Sequence, residues 1–230
     1  MMNRRDFLKV IGVSAFSGSI LDLFACQTRE TKKRLVLLIS TKPFDMQPCI
    51  DACRKAHNIP EIEDSRHQIK WIWKEEFGDV FSEQIEAPKN IVIPVMCNHC
   101  ENPSCVRVCP TKATFKRKDG IVMMDYHRCI GCRFCMAACP YGARSFNWID
   151  PKPLVKDQNP DFPTRTKGVV EKCNFCAERL DKGLSPACVE ASNGSLIFGD
   201  ISQMRDLLKH SYCLRRKPEL GTSPSVYYLI

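Results

Sequence analysis

The sequence predicts an α+β fold of short strands and short helical turns, and three observations carry that expectation. Fifteen cysteines fall along 230 residues in a regular grid. Between them lie brief runs of Val, Ile, Leu and Met, each of strand length: Arg34 to Ser40, Ile91 to Met96, Gly120 to Asp125 and Ser195 to Gly199. The last two cysteines of a run enclose three residues and precede Pro, as in Cys135-Met136-Ala137-Ala138-Cys139-Pro140, which reads as a single helical turn stopped by Pro. So dense a grid predicts that metal, more than a large apolar core, organises the chain.

From the N-terminus, Asn3-Arg4-Arg5-Asp6-Phe7-Leu8-Lys9 and the apolar stretch Val10 to Ala25 read as a twin-arginine export signal over residues 1-26. That route carries proteins already folded, which suits a chain whose metal must be inserted in a reducing cytoplasm. Leu23-Phe24-Ala25-Cys26 is a candidate lipoprotein box that would leave Cys26 lipidated, although Phe24 fits it poorly; retention of the signal as an anchor is the alternative. Nothing later in the chain approaches the roughly 20 apolar residues of a spanning helix, so the folded part is expected to be soluble.

Two cysteine runs occupy the middle. Cys129, Cys132, Cys135 and Cys139 with Pro140 match CxxCxxCxxxCP, the bacterial ferredoxin ligand run, at every position. Cys97, Cys100, Cys105 and Cys109 with Pro110 repeat it with two more residues between the second and third cysteines. In such runs a CxxC loop wraps one corner of a cubane and the fourth cysteine ligates the neighbouring cluster. A disulfide framework belongs to short scaffolds, not to 230 residues of 44% hydrophobic composition. Structural zinc does not call for the CxxxCP ending.

The outer cysteines repeat the pattern incompletely. Cys173-Asn174-Phe175-Cys176 and Cys188 lack a fourth member, for Ser192 stands where it is expected; Cys49 and Cys53 keep a CxxxC pair, but Pro43 and Met46 stand where the first two members would fall. With this the chain resembles the four-cluster iron-sulfur subunits of molybdopterin oxidoreductases and their relatives, the polysulfide reductase and nitrite reductase B or C type, from Arg34 to Ile230. The resemblance implies crosswise ligand sharing. One cluster takes Cys97, Cys100, Cys105 and Cys139; a second takes Cys129, Cys132, Cys135 and Cys109; a third takes Cys173, Cys176, Cys188 and Cys53. The fourth site, Pro43, Met46, Cys49 and Ser192, is degenerate, so three [4Fe-4S] clusters are expected. Cys49 is then a small apolar relic and Cys213 packs the C-terminal segment, unless the two form a disulfide, which sequence cannot place.

The fold that follows is two interlocked ferredoxin-like halves of the bacterial 2[4Fe-4S] type with loop-rich extensions. An inner half, 88-147, is inserted in an outer half made of 34-60 plus 165-200. Residues 201-230 add a C-terminal helix, Asp200 to His210 with Ser202 near its start, and an extended surface strap from Arg215. Residues 148-167, with four prolines, form a connecting loop. Trp71 and Trp73 read as packing residues, and His99 as a hydrogen-bonding neighbour of the ligands.

No Gly-rich nucleotide loop and no histidine set for a catalytic metal is visible, so the expected role is non-catalytic electron relay. Formal charge is +8, or +7 without residues 1–25, which carry three basic and two acidic groups; three oxidised cubanes would add about -6, and no nucleic-acid partner is inferred. The stretches Tyr141 to Trp148, Lys167 to Cys176 and Gly221 to Tyr228 look like the exported iron-sulfur subunit of the Dsr or Hme membrane complex of dissimilatory sulfur metabolism. That resemblance implies the extracytoplasmic (periplasmic) face of the cytoplasmic membrane and an NrfD-type integral membrane quinone-interacting subunit. It also implies a c-type cytochrome, and no conventional molybdenum subunit, because the degenerate site is the one that would face it. An iron-sulfur subunit of a molybdopterin oxidoreductase, or a free exported ferredoxin-like carrier, are the alternatives.

Overall fold

The computed structural model describes residues 33–81 and 91–230; the export signal and Cys26 lie outside them. The central strand, β1 (Leu35–Ser40), is a continuous apolar run whose Val36 to Ile39 are buried on both faces. A strand covered on both sides needs no alternation. β1 pairs antiparallel with β8 (Leu196–Asp200), Leu37 opposite Phe198, and parallel with β10 (Val226–Leu229), Leu37 opposite Val226. β9 (Cys213–Leu214) closes the sheet, whose order is β8-β1-β10-β9.

Helix α1 (Gln47–His57) opens with Pro at its first turn and ends at Asn58, whose φ of 51° is the left-handed cap conformation. Cys49, Cys53 and His57 share its buried face at intervals of four residues. β2 (Ile72–Glu76) pairs antiparallel with β3 (Val92–Met96), and α2 (Phe77–Phe81) follows β2. A hairpin of β4 (Thr114–Lys116) and β5 (Val122–Met124) separates two single-turn helices, α3 (Ser104–Arg107) and α4 (Phe134–Ala137). β6 (Ser145–Phe146) pairs with β7 (Val170–Glu171); Cys176 caps α5 (Ala177–Leu180), α6 (Ala187–Glu190) carries Cys188, and α7 (Arg205–His210) precedes β9.

The architecture is a mixture of small helices and strands, as expected, but three expectations change. The C-terminal tail is not a surface strap: Val226 and Tyr228 are 1% and 0% exposed, and β10 lies inside the sheet between β1 and β9. Before that strand the tail grips the loop of the first CxxC pair, with Glu101 N donating to Ser223 O, Asn102 N to Thr222 O and Ser225 N to Asn98 O. The apolar core is also larger than a metal-organised fold requires; one cluster joins Leu37, Trp71, Phe81, Val95, Leu196 and Tyr228 with four of the cysteines. Finally, the C-terminal helix begins at Arg205, because the Asp200 carboxylate accepts from Arg34 N and from the backbone and hydroxyl of Ser202 and holds 200–204 as turns.

Candidate metal centre

Three groups of cysteine side chains converge. In the first cage, Cys97 follows β3, Cys105 rides on α3 and Cys139 follows α4. His99, with φ of 41°, bends the chain between Cys97 and Cys100. The Cys100 thiol is pushed up to about 12, first by burial and then by Cys97, with smaller contributions from Cys105 and Cys139. Only sulfurs within Coulomb reach of one another behave in this way.

The second cage is Cys109, Cys129, Cys132 and Cys135, which wall one small cavity with Thr111, Ala113, Met124 and Val170. Its CxxC loop turns at Gly131, φ 68°, where a Cβ would run into the Gly168 carbonyl, so only glycine fits. Burial raises the Cys135 thiol, and among the sulfurs acting on it is Cys105 of the first cage, so the two cages adjoin.

Cys53 comes from α1 to meet Cys173, Cys176 and Cys188 in the third cage. All four are buried. Cys53 is held well above the ordinary thiol value by burial and then by Cys173, Cys188 and Cys176. Phe175 N donates to the Cys173 sulfur at 3.5 Å and Ala187 N to that of Cys176 at 3.4 Å, the backbone-to-sulfur bonds that tune cluster thiolates. Cys97 raises the Cys173 thiol, and the His99 and Phe175 rings stack at 3.6 Å between centroids, so the third cage adjoins the first. His99 Nδ1 accepts from Val122 N at 3.0 Å, which occupies it as a hydrogen-bonding neighbour.

The degenerate set has no comparable chemistry. Pro43 is exposed, and Met46 and Cys49 are buried. The Ser192 hydroxyl donates to Val189 O at 2.7 Å and accepts from Leu196 N at 3.0 Å. One thiol, one thioether and an engaged hydroxyl do not make a cubane donor set. The three cages do: each offers four thiols whose protons a metal would displace. Cys49 and Cys213 are free thiols.

Three features near the cages are not singled out by the sequence. Buried Arg144 and Lys172 approach the cage sulfurs or the backbone beside them. His57 places Nε2 2.7 Å from Glu178 Oε1 and Nδ1 3.7 Å from the Cys53 sulfur, its ring 4.5 Å from that of Trp71. The signals are present: a lysine directly before a CxxC, an arginine five residues after the last cysteine of a run, and a histidine one helical turn after Cys53.

The family model for a 4Fe-4S dicluster domain matches residues 89–152. The iron-sulfur subunit 1 of an Hdr-like menaquinol oxidoreductase from Archaeoglobus fulgidus is 40% identical, over 99% of this chain and 98% of that protein. One subunit of the tetrathionate reductase of Salmonella typhimurium is 36% identical over 99% and 88%. The iron-sulfur cluster-binding subunit of the menaquinone reductase of Nitratidesulfovibrio vulgaris is 41% identical over 79% and 82%. With identity of this order along nearly its whole length, the chain belongs to the ferredoxin-type iron-sulfur subunit family of oxidoreductase complexes.

Proposed function

We propose that this chain is the electron-relay subunit of a membrane-bound, quinone-linked respiratory complex, and that it carries three [4Fe-4S] clusters. Its ligands are Cys97, Cys100, Cys105 and Cys139; Cys129, Cys132, Cys135 and Cys109; and Cys173, Cys176, Cys188 and Cys53. The observation that carries the reading is the adjacency of the cages. The single turns α3 and α4 each tie a cysteine of the first cage to one of the second, Cys105 to Cys109 and Cys139 to Cys135, and His99 of the first cage stacks on Phe175 of the third, so the first cage adjoins both others. Bound cubanes supply single-electron transfer, and full thiolate ligation leaves no iron open to substrate. The protein's part is to hold neighbouring cages close and to keep water from the buried ones.

The two ends of that series differ. Around the second cage Ile130, Phe134 and Trp148 are 67%, 60% and 41% exposed, and the Arg133 guanidinium lies over the Trp148 ring at 4.9 Å. Exposed apolar groups beside a redox centre support this end as the one that meets an NrfD-type integral membrane subunit. The relatives named for menaquinol and menaquinone chemistry favour a quinone-linked partner. We read the chain as two interlocked ferredoxin-like halves, 88-147 within 34-60 plus 165-200. We place it on the extracytoplasmic face after twin-arginine export, with a c-type cytochrome, in dissimilatory sulfur metabolism and without a conventional molybdenum subunit. No helix among the described residues is long and apolar enough to cross a membrane, so attachment would come from the N-terminus or the partner.

Iron and sulfide analysis of the full chain with redox-titrated EPR is the test. The expected result is three four-iron clusters, about twelve irons per chain; a fourth cluster or a three-iron signal defeats the assignment. A second reading, an iron-sulfur subunit of a molybdopterin enzyme, is favoured by the tetrathionate reductase relative and would be established by a stable molybdopterin partner. Recovery as a soluble monomer after gentle membrane washing would instead support a free carrier.

A further inference from the structure

Four lysine and arginine side chains are almost wholly buried among the described residues, and two of them are answered by a carboxylate. Arg165 meets Glu171 at 2.7 Å with both side chains fully buried, and Arg216 reaches Glu75 at 3.6 Å. Arg144 and Lys172, 5% and 1% exposed, have no carboxylate within ion-pair distance among the described residues. The Arg144 guanidinium donates to Thr114 Oγ1 at 2.8 Å and toward the Met124 sulfur at 3.7 Å. The Lys172 ammonium donates to the backbone carbonyls of Val122 and, at 2.7 Å, Cys173. A cation taken out of water without an opposite charge is strongly disfavoured, and carbonyl and hydroxyl acceptors repay only part of that cost.

The missing negative charge has a definite place. The Arg144 guanidinium makes a side-chain contact with Cys105, and the Met124 sulfur it faces lines one cavity with Cys109, Cys129, Cys132 and Cys135. Cys105 belongs to the first cage and the other four cysteines to the second. Lys172 directly precedes Cys173 of the third cage, and its ammonium donates to that residue's carbonyl at 2.7 Å. The same ammonium donates to Val122 O, and Val122 N donates to His99, which stands between two cysteines of the first cage and stacks on Phe175 of the third. Each unanswered cation therefore stands where two cages meet.

We propose that Arg144 and Lys172 are the counter-charges of the two junctions. Arg144 serves the first and second clusters, Lys172 the first and third, and each raises the reduction potential of the pair it adjoins. The inference rests on the three-cluster reading. The sign follows from charge: an oxidised cubane with four thiolates is already a net anion, and one-electron reduction adds a further negative charge. A fixed cation beside it stabilises the reduced form more than the oxidised one. Because neither cation is paired with a carboxylate, no neighbouring negative charge offsets its field at the clusters, whereas that of Arg165 is offset by Glu171.

The test is potentiometric EPR on the full chain in its iron-loaded form, with each signal assigned by Cys132→Ser for the second cage and Cys176→Ser for the third. Lys172→Met should make reduction at the first and third cages about tenfold less favourable, about 59 mV for one electron, and leave the second within about twofold. Lys172→Arg should restore the wild-type midpoints. Arg144→Gln should lower the first and second and spare the third. Arg144 carries the comparison alone if Lys172→Met loads less iron than the wild type. Equal shifts at all three centres, or none, overturn the counter-charge role. A wild-type chain with fewer than three clusters overturns the functional reading itself, which iron analysis reports separately.

Discussion

The second and third cages present the same four thiols in opposite surroundings. Cys53, Cys173 and Cys188 belong to the main apolar core, together with β1 and the aromatic residues Trp71 and Phe175. The second cage rests on a small separate cluster of Ala113, Met124, Cys135 and Val170, and three of its four cysteines are half-buried. The third cage is therefore held by a structure with its own reason to fold. The second is a loop system whose elements, α3, α4 and the β4–β5 hairpin, are three or four residues long. Elements so short are stabilised by what they are tied to, and in the second cage the largest tie is the metal.

Removal of iron tests that difference most severely. Under reducing conditions, chelation should strip amide protection from residues 129–147 by more than about 100-fold, while β1 and β10 lose less than about tenfold. Hydrogen exchange with mass spectrometry reads both in one experiment. Uniform loss along the chain would mean that the core of β8-β1-β10-β9 depends on metal as much as the loops do, and the contrast would disappear.

A smaller effect should break the third cage while sparing the second. Arg165 binds the Glu171 carboxylate, and its guanidinium also donates to the carbonyls of His57 and Asn58 where α1, the bearer of Cys53, ends. Trp71 Nε1 donates to the same carboxylate at 3.1 Å. Arg165→Met leaves a buried carboxylate without its cation, a loss of about 3–5 kcal/mol. Urea unfolding should show this as a lowered midpoint, with the third cluster's EPR signal lost before the second's. Simultaneous loss of the two signals would show that the cages are not independently supported.

How much of this arrangement is visible in the sequence depends on distance along the chain. The strands at 35–40, 92–96, 122–124 and 196–200 carry their own apolar runs, and the CxxxCP endings mark α3 and α4 locally. The strand at 226–229 reads from sequence as a strap because four residues among Pro, Gly and Ser carry little local signal. Its burial comes from β1, about 190 positions away and parallel to it. The two-residue strands β6 and β7 are likewise defined only by each other. Sequence shows Cys53 and Cys173 as members of incomplete runs, but not that one rides on a helix of three turns packed in the core. The charges of Arg144 and Lys172 are in plain view; that neither meets a carboxylate is a property of the folded interior alone.

The weakest expected effect falls at Ser192, beside the third cage, where a ligand would stand if the degenerate site held iron. In the structure its hydroxyl has two local duties, donating to Val189 O at the end of α6 and accepting from Leu196 N at the start of β8. Ser192→Ala leaves that buried amide without its side-chain acceptor, a loss of about 1 kcal/mol by urea titration, at the low end for such groups. Iron content and all three midpoints should stay at wild-type values, because the cages nearby are complete in thiols. A fall in iron would mean that the hydroxyl ligates metal. It would then return Met46 and Cys49, now apolar core residues, to the status of site residues, and the contrast between a packed end and a metal-held end would need a fourth centre.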